Sequence, residues 1–147
     1  HLTTRRQRQM CIRDRPTIVG LDHISYRINP IDRWFNFYFE AKERGLDPLW
    51  TINHGWISGI YYKDPDGNLV EIFFEHFSSA EEFKSNISPD FEDEPIGTNM
   101  DVEVLYEMYK AGSDFSELIT KGNTVPEGKK PVSGFDAVVN MKKKFKD

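Results

Sequence analysis

Three side chains in this 147-residue sequence form a set that can do chemistry: His23, His54 and Glu71. Two imidazoles and a carboxylate suit iron, manganese or zinc, and open coordination positions beside them suit catalysis. Glu71 is the most constrained of the three. It stands in Asn68 to Phe77, NLVEIFFEHF, where alternation puts Leu69 and Phe73 on its face and Val70, Ile72 and Phe74 on the other. An ionised carboxylate among such neighbours is costly unless it is paired or binds a metal. The competing reading is an edge-strand Glu that reaches solvent, or one paired with Lys63 or Arg27. His23 sits mid-strand, where a lone histidine is more often a satisfied or half-exposed strand residue than a ligand. His54 sits at a Gly-flanked corner, where histidines commonly have no special role. Spacing alone does not join the three, because they share no local element. His76, near a strand end, is expected to be exposed to solvent.

The elements that must position these residues are legible from periodicity. Residues 17–28, TIVGLDHISYRI, read as a strand rich in β-branched residues, with Leu21, His23, Ser25 and Arg27 on one face and Ile24, Tyr26 and Ile28 on the other. Asn29-Pro30 predicts an N-cap and a first-turn proline. Ile31, Trp34, Phe35, Tyr38 and Ala41 then follow at helical spacing, and Gly45 predicts the stop. Residues 47–53 are expected to be extended, and His54-Gly55 to turn into a strand over Ile57 to Tyr62. Asp64-Pro65-Asp66-Gly67-Asn68 is a strong turn before the Glu71 strand. The order is β-α-β-β-β within residues 17–77. Beyond Phe77 the chain is acidic and interrupted by Pro89, Pro95 and Gly97. A short helical turn is expected at Ala80 to Lys84. A helix carrying Val102, Leu105, Tyr106 and Tyr109 should start near Asp101 and end at Gly112, with another short helix at Phe115 to Ile119 and a frayed basic tail at Lys142 to Lys146.

The stretch from Asn53 through His54, Tyr61 and Asp64-Pro65-Asp66-Gly67 to Glu71 resembles the signature of extradiol ring-cleavage dioxygenases. That signature has a histidine, a short apolar spacer, an aliphatic-Tyr pair, an acidic residue with Pro and Gly, and then a Glu. Gly20-Leu21-Asp22-His23-Ile24-Ser25-Tyr26 also resembles the opening strand of a vicinal oxygen chelate module, and the β-α-β-β-β order agrees independently. The resemblance implies an α+β fold, one βαβββ module with a mixed curved sheet and one packed helix, followed by a mostly helical C-terminal extension. It implies His23 and Glu71 as ligands of Fe(II), with Mn(II) an alternative. His54 would be an active-site acid/base and hydrogen-bond donor to oxygen, and Tyr61 would hydrogen-bond a substrate hydroxyl. The implied partners are a catechol-type small molecule and O2. Trp50 and Trp56 flank the His54 corner and either line the pocket or fill the core.

The family builds its site from two paired modules, the first of which supplies another histidine ligand. Upstream of Thr17 stands only an Arg-rich stretch, so an N-terminally truncated enzyme is expected, with two ligands of three and no activity on its own. A homo-oligomer pairing two copies is another way to complete the cleft. Two rival classes remain: a glyoxalase-like or other chelate-fold metalloenzyme, and a non-catalytic fragment or binding module.

Composition narrows the rest. Five arginines against Asp14 give residues 1–15 a charge of +4, so the other 132 carry −9 of the net −5. A body that acidic suits neither nucleic acid nor an anionic membrane. No long apolar run suggests a membrane span. Cys11 is the only cysteine, which permits no intrachain disulfide and fits a cytoplasmic protein. The expected division is a disordered or non-native leader over 1–16, the module over 17–77, and the extension over 78–147. Met10 to Arg15 resembles translated sequencing-adapter sequence.

Overall fold

In the computed structural model, residues 22–86, 91, 94–126, 128–134 and 136 are described. The leader, the expected strand residues before Asp22 and the basic tail lie outside them. The elements run β1 (His23–Arg27), α1 (Ile31–Glu43), β2 (Trp50–Asn53), β3 (Ile57–Lys63), β4 (Leu69–Glu75), α2 (Ala80–Asn86), β5 (Thr98–Asn99), α3 (Val102–Lys110) and α4 (Phe115–Ile119). One sheet has the order β1-β4-β3-β2-β5, with β1 parallel to β4 and the other pairs antiparallel. This is the βαβββ mixed sheet with one packed helix, followed by a mostly helical extension.

Local chemistry fixes the ends of α1. Gly45 takes a φ of +76°, its N–H bonds to the Lys42 carbonyl at 2.9 Å, and the Leu46 N–H reaches the Ala41 carbonyl at 2.9 Å. That pair of bonds is a Schellman ending, and its left-handed residue is glycine because a Cβ would be strained there. The N-terminus differs from the sequence expectation. Pro30, not Asn29, occupies the cap and offers no side-chain hydrogen bond. Asn29 instead accepts from the Glu75 backbone N–H at 3.1 Å, tying the helix start to the end of β4.

The Asp64–Asn68 turn sets the β3/β4 register. Asp64 accepts from the Gly67 N–H through its carbonyl (2.9 Å) and from the Asn68 N–H through its side chain (2.7 Å), and Gly67 has a φ of +89°. A turn of that length pairs Lys63 with Leu69 and therefore Tyr61 with Glu71. The parallel pairing then brings Ser25 opposite Glu71 from the other side.

The sheet separates two environments. Ile60, Ile72 and Phe74 meet Trp34, Phe35 and Tyr38 of α1, and Met100, Val102, Leu105 and Leu118 of the extension close the same core. Trp34 is fully buried, packs edge-on to Phe74 at 4.9 Å and donates its indole N–H to the Ile72 carbonyl at 3.0 Å. Asp101 caps α3 by accepting from the Glu103 and Val104 N–H groups. β5 carried no periodic signal, since two residues are too few to show one. It forms because Ile52 and Asn53 offer an open strand edge to Thr98 and Asn99.

Trp34→Ala should cost about 3–5 kcal/mol of folding stability in a urea titration, the range for emptying an aromatic site in a core. Asp101→Ala, which removes one helix cap, should cost only about 1 kcal/mol.

Candidate functional site

Glu71 lies on an inner strand, flanked by β1 and β3, so the edge-strand reading of this residue does not hold. It is 3% exposed. Space for its carboxylate comes from Gly59, whose face it shares across β3/β4: a Cβ at Gly59 would lie 2.6 Å from Glu71 Oε1. Arg27 is not its counter-ion in the way the sequence allowed. Arg27 bonds Glu75 instead, at 2.9 Å. Glu71 Oε2 accepts from the Ser25 hydroxyl at 2.5 Å, whereas Oε1 has no hydrogen-bond partner. Burial by itself would raise the Glu71 carboxyl, but His54, Ser25 and Tyr61 around it bring it below the usual carboxylate range. The group is therefore an ionised carboxylate at neutral pH.

Both histidines converge on that carboxylate, each on a different oxygen. His23 Nε2 is 3.4 Å from Oε2 and His54 Nε2 is 3.7 Å from Oε1. Their other ring nitrogens are committed elsewhere. His23 Nδ1 meets Asp22 Oδ2 at 2.8 Å, and His54 Nδ1 meets the Ile96 carbonyl at 2.5 Å. A carboxylate or carbonyl oxygen can only accept, so each Nδ1 carries a hydrogen. In the neutral imidazoles both Nε2 lone pairs then face the Glu71 oxygens. Lone pairs opposed at that range need a cation between them, either a metal ion or a proton on Nε2, and it is in that protonated form that His54 lowers the Glu71 carboxyl. An imidazole held through Nδ1–H by a carboxylate is also the usual arrangement of a metal-ligating histidine.

Tyr61 completes the cluster. Its hydroxyl is 3.5 Å from His54 Nε2, its ring stacks on Trp50 at 5.0 Å, and the His23 ring meets it edge-on at 5.4 Å. Burial, then the charge of Glu71, pushes the Tyr61 phenol above its ordinary range, so it stays a proton donor. Trp50 therefore flanks the site, with its indole N–H buried and unpartnered, while Trp56 is exposed. His76 is the clear departure from expectation. It is 4% exposed, not solvent-facing, because the pairing with the β3 side continues past β4, the His76 N–H donating to the Trp56 carbonyl at 3.0 Å, which puts its ring beside Phe74, where its Nε2 pairs with Ser58 Oγ at 2.8 Å.

The donor set fits part of a metal site. His23 Nε2 and an oxygen of Glu71 are adjacent, and Glu71 Oε1 is an orphaned buried acceptor. Among the described residues, however, no group of three or more His, Cys, Asp and Glu side chains is arranged to hold a metal ion. The structure brings together His23, His54, Tyr61 and Glu71, the four residues that the sequence singles out. Sequence reasoning placed Ser25 on the His23 face but could not see its bond to Glu71, which depends on the β1/β4 register. Asp22, Gly59 and Ile96 gave no signal of their own.

The chain is 32% identical over 107 residues to Biphenyl-2,3-diol 1,2-dioxygenase 3 of Rhodococcus globerulus, covering 72% of this chain and 56% of that protein. It is 28% identical over 106 residues to Biphenyl-2,3-diol 1,2-dioxygenase 2 of the same organism, covering 71% and 56%. The chain thus spans little more than half the length of these curated relatives. No family model matches the sequence, and no solved structure matches it. Among the described residues, no helix is long and apolar enough to cross a membrane.

Gly59→Ala should destabilise the fold by about 1–3 kcal/mol through overpacking. Most of that cost should vanish in the Gly59→Ala/Glu71→Ala pair, as a double-mutant cycle by denaturant titration would show. His76 supplies a pH signature. Burial, with the charge of His54 acting in the same direction, pushes it down to about 4. The unfolded chain therefore binds the extra proton first, and stability present above about pH 6.5 is lost as pH falls toward the folded value. The loss should approach roughly 3 kcal/mol in order of magnitude, and His76→Gln should remove it from the stability-pH curve.

Proposed function

The chain carries the vicinal oxygen chelate fold and is homologous to the extradiol-type dioxygenases, and from that premise we propose that it is the C-terminal part of a non-haem Fe(II) enzyme that opens a catechol-type ring with O2. The observation that carries this reading is Glu71: a buried, ionised carboxylate with one oxygen held by Ser25, the other unpartnered, and two imidazole lone pairs turned toward it. His23 and Glu71 would hold the iron, and a third protein ligand would come from a second, paired module. Mn(II) suits the same ligands. When bound, the metal supplies a Lewis acid for the catechol and a route for electrons between ring and oxygen.

The chain's own residues supply the rest. Ser25 fixes the rotamer of Glu71, and Asp22 fixes the ring of His23, so neither ligand must be ordered on binding. Tyr61, stacked on Trp50 and kept protonated, donates a hydrogen bond to a substrate oxygen. His54 would serve as the acid/base group that the sequence resemblance implies, with its donor step second. With its hydrogen on Nδ1, the neutral ring presents a lone pair at Nε2. It therefore first accepts a proton from a substrate hydroxyl and only then donates it. Biphenyl-2,3-diol, named in both relatives, is the first substrate to assay, alongside single-ring catechols. The single cysteine fits a cytoplasmic enzyme. With two ligands of a triad, this chain alone should bind metal weakly, which keeps a non-catalytic state of the isolated piece in view.

The test is oxygen uptake by the full-length protein, carrying its upstream module and loaded with Fe(II), on a panel of catechols. Iron-dependent uptake with ring opening next to the two hydroxyls is expected. Outer-shell changes around a metal cost about 10–100-fold, so His23→Ala or Glu71→Gln should cost at least about 100-fold. No turnover by the iron-loaded enzyme, or full turnover by His23→Ala, would sink this reading.

A further inference from the structure

The acidic segment after α2 includes a short strap, Glu94 to Gly97, that runs against the His54 corner before entering β5. Three hydrogen bonds hold it there. Lys121 Nζ donates to the Glu94 carbonyl at 2.8 Å, the Gly134 N–H donates to the Gly97 carbonyl at 2.6 Å, and His54 Nδ1 donates to the Ile96 carbonyl at 2.5 Å. The corner itself is clamped from the other side. Asn53, fully buried, accepts from the Gly55 N–H at 2.7 Å and donates to the Ile119 carbonyl at 2.9 Å.

The approach between strap and corner is closer than any side chain permits. A Cβ on Gly97 would overlap the Asn53 carbonyl and lie 2.7 Å from His54 Cα. Gly97 also has a φ of +101°, where L side chains are strained. Backbone thus touches backbone where the imidazole needs a fixed acceptor. A free imidazole in water favours the hydrogen on Nε2. Here the Ile96 carbonyl can only accept, and it faces Nδ1.

We propose that the Glu94–Gly97 strap, through the close approach of Gly97, is a positioning element for His54: it holds the hydrogen on Nδ1 and leaves the Nε2 lone pair aimed at Tyr61 and Glu71. The catalytic meaning of this device rests on the dioxygenase reading above, because only there does Nε2 take a proton from substrate. The device itself does not. Gly97 and Lys121 touch no reacting atom; they act through His54. The extension is thereby part of the site and not a stabilising appendage.

The experiment is long-range 15N–1H correlation spectroscopy of the imidazoles in the metal-free, full chain above the titration range of histidine, with the His54 signals assigned by His54→Gln. The wild type should show His54 mainly as the Nδ1–H form. Gly97→Ala should lower the ratio of Nδ1–H to Nε2–H about tenfold, the effect of losing one buried hydrogen bond. Gly112→Ala introduces comparable backbone strain at a φ of +80° with nothing within 4 Å, and should leave the ratio unchanged. Lys121→Met keeps the stem and removes the ammonium, which donates to Glu94 and also lies 5.3 Å over the Phe91 ring, so it tests the strap should Gly97→Ala fail to fold. It should lower the ratio at least about threefold, and Lys121→Arg should restore it. A wild-type His54 mainly in the Nε2–H form overturns the proposal. So does an unchanged ratio in folded Gly97→Ala or in folded Lys121→Met. In the iron-loaded full-length enzyme, Lys121→Met should lower kcat on a catechol and leave KM near its wild-type value. Absent turnover alongside the expected tautomer shift would count against the dioxygenase reading alone.

Discussion

A carboxylate sunk in the middle of a sheet is the constraint on which the rest of this structure depends. Desolvating Glu71 on an inner strand is unfavourable unless the surroundings compensate, and the compensation accounts for otherwise unconnected choices. Gly59 gives up a side chain so that the carboxylate has room. Ser25 donates to one oxygen, and the other is left without a partner. Two imidazoles approach from β1 and from the corner before β3, each with its far nitrogen engaged. A structural ion pair would have needed only one neighbouring cation. This arrangement leaves a buried acceptor beside two imidazoles, which is poor design for stability alone.

The sheet makes that arrangement affordable by separating its two faces. On one, Ile60, Ile72 and Phe74 lock against Trp34 and Phe35, with an indole-to-carbonyl bond fixing the angle of α1. On the other, His23, Ser25, Glu71, Gly59 and Tyr61 share a surface through the registers of β1, β4 and β3. The apolar face supplies rigidity, and the polar face uses it. A cluster of polar side chains held to within a fraction of an ångström needs such backing, because loosely supported side chains would rearrange instead.

The C-terminal extension belongs to both faces. Met100, Val102, Leu105 and Leu118 complete the core, while Tyr106 packs against Phe35 and Phe39 of α1. The strap before β5 reaches the site face and fixes the His54 ring through a backbone carbonyl. Core closure and histidine orientation therefore come from one continuous segment, and a change in its packing is transmitted to the site through rigid backbone.

Local signals were strong wherever a residue's role follows from its neighbours in the chain. The apolar spacing of α1, its Gly45 ending, the Asp64–Asn68 turn and the cap at Asp101 were all legible, as was the βαβββ order. The turn even determined that Tyr61 faces Glu71, because its length sets the register. What the sequence could not determine lies across long separations. The parallel β1/β4 pairing decides that Ser25 serves Glu71 and that Arg27 goes to Glu75. Pairing that continues from β4 to Trp56 buries His76 beside Phe74, and a backbone carbonyl from Ile96 selects the nitrogen of His54 that meets the site. Side-chain identity and period name the candidates. Only tertiary contact says which carboxylate oxygen is free and which ring nitrogen carries the hydrogen, because those properties belong to pairs of groups brought together by the fold.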